Sequence, residues 1–337
     1  MPERVLALSQ QVSILATQKV DQIRRVTTGT KILALNASIE AARAGNAGFN
    51  IVAREVGAIS DKIDKIASDL NVELSRKTGD LEKLGHGLVA NIRGTRLADL
   101  ALNMIDIIDR NLYERSCDVR WWATDSAVVD CVAKNEQGVR DYASKRLGVI
   151  LDSYTVYLDI WIAGRDGKVL ASGRPRTYPS VANTNVAGEP WFRRALETRD
   201  GTEFVASDIA LNSSLNAQVA TYSTAIREGG EANGRILGVI GIFFDWQKQS
   251  QDVVDGVRLS AEDRKCTRCL ILDSAWRVIA ASGGSGLFEK CPLETGGQTM
   301  GTYEDKNGNI VGFALTPGYE TYQGLGWYGA LFQNRRQ

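Results

Sequence analysis

Two apolar repeats separated by a short glycine-bearing gap constrain this chain more than any other feature. Residues 31–44 are rich in Ala, Leu, Ile, Glu and Arg and contain no Gly or Pro, a composition that favours helix. Gly45-Asn-Ala-Gly48 then supplies two residues that tolerate positive φ, a natural helix stop and reversal. Beyond it, Val52, Val56, Ile59, Ile63, Ile66 and Leu70 alternate steps of four and three, the seam of a coiled coil. Before it, Val12, Leu15, Val26, Leu33 and Ile39 are seam candidates, with Lys19 and Gln22 interrupting. Two antiparallel helices are expected, each of about 40 residues and about 60 Å long. Such a hairpin cannot bury its stripe alone, so pairing with a second copy into a four-helix bundle is expected.

The wording of the tip goes beyond what a heptad requires. Ile32-Leu-Ala-Leu-Asn-Ala-Ser-Ile-Glu-Ala-Ala-Arg-Ala-Gly45 and Phe49-Asn-Ile-Val-Ala-Arg-Glu-Val56 resemble the hairpin tip of bacterial chemoreceptors, the methyl-accepting chemotaxis proteins. The resemblance covers residues 1–95. It implies a signalling hairpin whose tip meets neighbouring receptors, a coupling protein and a histidine kinase. By that resemblance Glu40 and Arg43 match positions that make contacts between receptor dimers, and Leu35 and Asn36 match positions beside the coupling protein. The chain also departs from the family. Where Gly-Glu-x-Gly-Arg-Gly-Phe is usual at the turn, Gly45-Asn-Ala-Gly48-Phe49 is two residues shorter and lacks the acidic and basic members. Thr28 stands where many receptors have an aromatic, and Lys31 where Asn is usual. The departures bear on kinase control more than on the hairpin fold.

Composition bounds the remainder. A chain of 337 residues suggests two or three domains. Lys and Arg total 40 and Asp and Glu total 40, so bulk charge gives no reason to expect a nucleic-acid partner. The longest apolar run, Ile236-Leu-Gly-Val-Ile-Gly-Ile-Phe-Phe244, is half of the roughly 18 residues a membrane span needs and reads as a buried strand. Met-Pro-Glu-Arg-Val at the start lacks the apolar core of a signal peptide, so a soluble cytoplasmic chain is expected.

An odd count of five cysteines argues against a disulfide framework. Cys266-Thr-Arg-Cys269, with Cys291 downstream, has zinc or redox spacing. A zinc site needs four ligands, however, and the single histidine, His86, lies in the helical arm. Ordinary thiols are expected, with no metal and no cofactor. Ser282-Gly-Gly-Ser-Gly286 lacks the Lys-Ser/Thr partner of a phosphate-binding loop. No catalytic constellation emerges, and the chain is not expected to be an enzyme.

From Thr95 to about Val149 the pattern is helical, and the Trp121-Trp122 pair is expected to anchor it against a sheet. Strands are expected at Val156–Ile162, Val169–Ser172, Glu203–Ser207, Val219–Ile226 and Arg235–Phe244, with helices over 190–197 and 246–257. Arg165-Asp-Gly-Lys168 reads as a hairpin turn. Ile162-Ala-Gly-Arg-Asp-Gly-Lys-Val-Leu-Ala-Ser172, Gly188-Glu-Pro-Trp-Phe-Arg-Arg-Ala-Leu196, Asp200-Gly-Thr and Gly238-Val-Ile-Gly-Ile-Phe-Phe-Asp245 resemble the first lobe of a double Cache sensor, the PAS-like module of many chemoreceptors. Cys269-Leu-Ile-Leu-Asp-Ser-Ala-Trp-Arg-Val-Ile-Ala280 and Tyr319-Glu-Thr-Tyr-Gln-Gly-Leu-Gly-Trp-Tyr328, the latter as the last-strand signature, resemble a second lobe. The expected fold class is multidomain α plus α/β. An antiparallel helical hairpin over 1–95 and a long connecting helix over 96–150 precede two PAS-like antiparallel β-sheet lobes over 151–260 and 261–337.

The resemblance implies a small-molecule site between the first sheet and the helices and loops above it. Its candidate residues are Tyr157, Trp161, Glu189, Trp191, Phe192, Tyr222 and Asp245. Family members that bind amino acids place an Arg two positions before the Trp to grip the carboxylate. A Tyr-x-Asp pair and a later Asp help hold the ligand and its ammonium. Here Glu189 replaces the Arg, Ala210 and Asn212 fall at the Tyr-x-Asp pair, and Asp245 matches the final acid. The chain is therefore not expected to be a standard amino-acid sensor, and Glu189, Asp245 and the aromatics suit a cationic or neutral ligand. Core packing by Trp191, Phe192 and Tyr222 is the alternative. The functional expectation is a homodimer that relays small-molecule sensing to a tip engaging the chemotaxis kinase, the coupling protein and other chemoreceptors. The alternative is a scaffold that joins receptor arrays without sensing.

Overall fold

A computed structural model describes residues 2–334, and the side chains of all of these except residues 2–6 and 9. Residue 1 and residues 335–337, the outer ends of the segments expected over 1–95 and 261–337, lie outside the described residues. The chain divides into two compact units, Met1–Arg93 and Gly94–Gln337.

The first unit is a helical hairpin. Helix α1 (Pro2–Arg43) ends in a turn at residues 44–46, and helix α2 (Ala47–Trp122) returns. The reversal is shorter than the four-residue Gly45–Gly48 turn expected. Gly45 takes the positive φ, 66°, while Gly48 already lies in the first turn of α2. Asn46 closes that turn, its Oδ1 accepting from Phe49 N at 3.2 Å. Three hydrogen bonds set the antiparallel register of the arms. Asn50 Nδ2 donates to Ser38 O at 3.2 Å, Lys31 Nζ to Asp61 Oδ1 at 2.5 Å, and Ser13 Oγ to Thr78 Oγ1 at 3.5 Å.

The expected apolar seam does not join the two arms. The buried positions are small and spaced one per heptad: Val20, Thr27, Ala34 and Ala41 on α1, and Ala53, Ser60 and Ala67 on α2. The predicted seam residues Val12, Leu15, Val26, Leu33, Ile39, Val52, Ile59, Ile63, Ile66 and Leu70 are exposed, from 40% at Ile63 to 70% at Val26. Val56 is half-buried. Small side chains let the helix backbones approach closely, and the larger ones are turned outward, where a single hairpin has nothing to cover them.

In the second unit, the stretch expected as one helix over 96–150 is three. Helix α2 ends at Trp122, and α3 (Ser126–Lys134) and α4 (Gln137–Ser153) follow. Asp125 starts α3, its Oδ1 accepting from Ala127 N at 2.8 Å, and Asn135 ends it at φ 52°. The tryptophan pair divides its labour. Trp122 is buried edge-on against Tyr154 and Tyr157, whereas Trp121 is 69% exposed and anchors nothing.

Two antiparallel sheets follow. The first contains β1 (Tyr157–Gly164), β2 (Val169–Ser172), β3 (Val205–Ala206), β4 (Ala210–Asn212), β5 (Ala217–Arg227) and β6 (Ile236–Asp245). Its order is β2-β1-β6-β5-β3, with β4 also paired to β5. Helix α5 (Pro190–Leu196) lies between β2 and β3 in sequence. Helices α6 (Trp246–Asp255) and α7 (Ala261–Cys266) lead to the second sheet. That sheet contains β7 (Thr267–Leu272), β8 (Val278–Ala281), β9 (Met300–Glu304), β10 (Ile310–Leu315) and β11 (Tyr328–Gln333), in the order β8-β7-β11-β10-β9. The last-strand signature expected over 319–328 is mostly the loop before β11, pinned by a bridge between Tyr319 and Tyr322. The Asp166-Gly167 turn forms as expected, with Gly167 at φ 81°.

The last part of α2 packs against both lobes. At Gly312 on β10 an added Cβ would lie 2.4 Å from Ala98 N, and at Gly329 on β11 one would lie 2.5 Å from Ala101 O. Only glycine permits so close a helix-on-sheet approach. Asp109 of α2 accepts from Thr316 Oγ1 and from Gly318 N, and Asp118 Oδ2 accepts from Tyr157 OH at 2.5 Å.

Candidate functional site: a cleft on the first-lobe sheet

Alternation along the strands decides which candidate residues meet. On β5, Ala220, Tyr222 and Ile226 pack into the core shared with α2, α3 and α4, while Val219 faces the other way. On β6, Val239 and Phe243 share the face of Val219, and Ile240, Ile242 and Phe244 face the helices. On β1 a bulge between Tyr157 and Asp159 resets the alternation. Tyr157 therefore packs with Ile160 and Ile162 toward the helices, and Trp161 with Ala163 on the opposite face.

The face away from the long helix carries a cleft of about 380 Å³. Trp161, Val219 and Thr221 form its floor; residues 184–186 with Glu189, Pro190 and Trp191 form one wall, and Ser207, Asp208 and residues 210–214 the other. Of the seven sequence candidates, Trp161, Glu189 and Trp191 line it. Phe192 is buried in the apolar cluster on the same side of the sheet. Tyr157 and Tyr222 lie on the helix side, where Tyr222 OH donates to Tyr322 OH of the second lobe at 3.4 Å. Asp245 ends β6 and starts α6, its side chain accepting from Lys248 N at 3.4 Å.

Asp159 and Asp208, not singled out from sequence, help build the cleft with the candidates, and Ala210 and Asn212, the residues at the Tyr-x-Asp positions, line it. Asp159 is fully buried and accepts from Trp161 Nε1 at 2.8 Å, which fixes the indole. Its Oδ1 also accepts from the backbone N–H groups of Ile160, Gly173 and Arg174. Burial pushes its carboxyl above the usual 3.8, against the opposing pull of those hydrogen bonds. A charged residue inside an otherwise apolar strand was the available signal for it. Trp191 lies over Gly241, where an added Cβ would come within 2.9 Å of its ring, and its carbonyl accepts from Ser223 Oγ at 3.0 Å. Asn212 Oδ1 accepts from Ser214 N and Leu215 N, shaping the far rim. Glu189 stands at the N-cap of α5 yet makes no capping hydrogen bond with its side chain. Asp208 Oδ1 accepts from Trp327 Nε1 at 3.1 Å. Glu189 and Asp208 are the charged side chains of the lining; among the described residues no Lys, Arg or His lines it.

A second concavity, about 510 Å³, lies along the hairpin arms and is lined by Ile23, Val26, Val56, Ile59 and Ile63. It is an open groove, and Lys19, Gln22, Thr27, Thr30 and Ser60 add polar groups to its mainly apolar lining. At the tip, Leu35, Asn36, Glu40 and Arg43 are all exposed, and Arg43 pairs with Glu40 one turn away at 3.7 Å.

Residues 4–86 match the methyl-accepting chemotaxis protein (MCP) signalling domain. The methyl-accepting chemotaxis protein HlyB of Vibrio cholerae is 40% identical over 90 residues, 22% of this chain and 16% of that protein. The biofilm dispersion protein BdlA of Pseudomonas aeruginosa is 36% identical over 99 residues, 28% of this chain and 23% of that protein. The matches thus span less than a quarter of either relative. Solved structures resemble about three quarters of the chain. The sensor domain of the V. cholerae histidine kinase DctB has a TM-score of 0.55 at 14% identity, covering 75% of this chain and 99% of that one. The ligand-binding domain of the P. aeruginosa amino acid chemoreceptor PctC, in complex with GABA, has a TM-score of 0.54 at 14% identity, covering 72% and 100%. That of the Pseudomonas fluorescens chemoreceptor CtaA, in complex with L-serine, has a TM-score of 0.52 at 12% identity, covering 73% and 99%. Residues 4–86 thus resemble a chemoreceptor signalling domain, and the solved structures share the fold of the two-sheet part of the chain, a Cache-like fold.

Proposed function

We propose that this chain is a cytoplasmic, homodimeric chemoreceptor-type signal transducer, a receptor rather than an enzyme. A small molecule binds in the first-lobe cleft, and the hairpin tip engages a histidine kinase, a coupling protein and neighbouring receptors through Leu35, Asn36, Glu40 and Arg43. The observation that carries this reading is the cleft itself. It opens on the sheet of a fold shared with sensor domains, two of which are described with GABA and L-serine bound. The Asp118–Tyr157 hydrogen bond supports a route from that sheet to α2, the helix common to both units. A ligand moves such a route only by preferring one of two arrangements of it. The outward-facing apolar residues of the hairpin support the homodimer. Among the described residues no helix is long and apolar enough to cross a membrane, and the five cysteines are unpaired, which supports the cytoplasmic assignment.

The test is a thermal-shift screen of the full chain against a metabolite library, followed by reconstitution with kinase and coupling protein. A hit that stabilises by mass action and changes kinase autophosphorylation supports the transducer. The shortened turn at residues 44–46, without the family's acidic and basic members, favours a second reading, a scaffold that enters receptor arrays without regulating them. Array entry with ligand-independent phosphorylation, or a silent screen on folded protein, favours the scaffold.

A further inference from the structure

We propose that the first-lobe cleft selects an organic cation that carries no carboxylate, a primary amine or a quaternary ammonium. The proposal rests on the reading of this cleft as the ligand site and names the class of ligand it takes. Four features of the lining point the same way.

Its fixed charges are of one sign: Glu189 on one wall and Asp208 on the other, with no cationic side chain in the lining among the described residues. Arginines near the lining in sequence are directed elsewhere: Arg174 Nη2 donates to Leu151 O at 3.0 Å, Arg193 Nη2 to Gly188 O at 3.0 Å and Arg199 Nε to Glu203 Oε1 at 2.6 Å, and Arg194 lines a separate concavity with Glu197 and Thr202. A carboxylate entering the cleft would meet two carboxylates and no counter-charge, whereas an ammonium meets two partners.

The two acids are also available. Glu189 occupies a helix-cap position without spending its side chain on the cap. Asp208 is held by one oxygen, Oδ1, on Trp327, which orients the carboxylate and leaves Oδ2 for a ligand.

The aromatic surface suits a cation. Trp161 and Trp191 line the cleft, and the Trp161 N–H is already bound to Asp159, so this indole has no donor left for a ligand and meets it as aromatic surface. The remaining lining supplies neutral hydrogen-bond groups, such as Thr184, Asn185 and Thr221, beside aliphatic Val186 and Leu211 that would cover a short carbon chain.

The experiment is isothermal titration of the full chain with putrescine, choline and tetramethylammonium, against succinate, GABA, L-serine and glycerol. The expected result is binding of at least one of the three cations. Its Kd should rise about tenfold in Glu189→Gln and in Asp208→Asn, and it should weaken with added salt. Both variants are expected to fold: Glu189 is exposed and makes no side-chain cap, and Asn at 208 keeps an acceptor for Trp327. Failure of all three cations overturns the proposal, as does succinate, GABA or L-serine binding as tightly as the best cation. Trp191→Ala separates this failure from failure of the underlying reading. A neutral or anionic compound whose binding is lost in Trp191→Ala overturns the cation assignment while the cleft stands as the ligand site. A cation whose binding survives Trp191→Ala and both carboxylate variants overturns both.

Discussion

Asp208 Oδ1 accepts a hydrogen bond from Trp327 Nε1 at 3.1 Å, which ties one wall of the first-lobe cleft to the second lobe. The tie continues inward. Trp327 sits edge-on to Trp246 with ring centroids 5.1 Å apart, and Trp246 Nε1 donates to Ile279 O at 2.7 Å. The second lobe therefore contributes to the shape of a cleft that it does not line.

Replacing Trp327 by Phe removes the donor while keeping an aromatic ring in the core. The expected cost is about 1 kcal/mol for the lost hydrogen bond plus roughly 1–3 kcal/mol for the volume the smaller ring leaves unfilled in the core. Hydrogen exchange should quicken in residues 207–214, which lose their anchor, and remain slow in β6, which does not. Unchanged exchange across 207–214 would show that the wall stands without Trp327.

Gly241 lets the Trp191 ring come close to the sheet, since a Cβ there would reach within 2.9 Å of the indole. Gly241→Val should lift the ring into the cleft. Overpacking of this kind costs roughly 1–3 kcal/mol, so the protein should still fold while any cleft ligand loses most of its affinity. Denaturant titration and calorimetric binding on the same variant separate the two effects.

Buried carboxyls give a pH signature. Burial raises both Asp159 and Asp109 above the usual 3.8, although both accept several hydrogen bonds. Between 3.8 and the raised value, the folded state holds protons that the unfolded state has released. Stability contributed by these groups is therefore greatest at the acid end of that window and falls as pH rises through it. Asp109→Asn keeps an acceptor for Thr316 and Gly318 but cannot titrate. Its penalty relative to the parent should be larger at about pH 4 than at about pH 7, read from denaturant midpoints. A penalty that grows with pH would overturn the assignment.

What was legible in the sequence was local. The Asp166-Gly167 turn needs a positive φ that glycine supplies, so its position could be read without knowing the fold. Glu189, Trp161 and Trp191 were legible because one resemblance fixed their places around α5 and β1. The partition of Tyr157 from Trp161 was not, since strict alternation puts residues four apart on one face and only the bulge after Tyr157 separates them. Asp208 was invisible for another reason: its partner lies 119 residues away. The hairpin shows the same limit. Its heptad period was plain, but a period does not say which face meets the other arm.

That face is the basis of the last prediction. The arms meet through Val20, Thr27, Ala34 and Ala41 against Ala53, Ser60 and Ala67, while Val26 and Ile63 stay exposed beside them. Enlarging a seam residue and charging an outward one should therefore have opposite consequences. Ala34→Leu forces a large side chain between closely packed helices, at a cost of roughly 1–3 kcal/mol, and should lower the hairpin's melting temperature by circular dichroism. Ile63→Asp leaves that seam intact and should keep the helicity, yet it places a charge on the surface that a second copy would have to cover. Sedimentation should then find Ile63→Asp shifted toward monomer relative to the parent. If the parent is itself monomeric at working concentration, or if Ile63→Asp sediments as the parent does, the outward apolar face serves some partner other than a second copy of this chain.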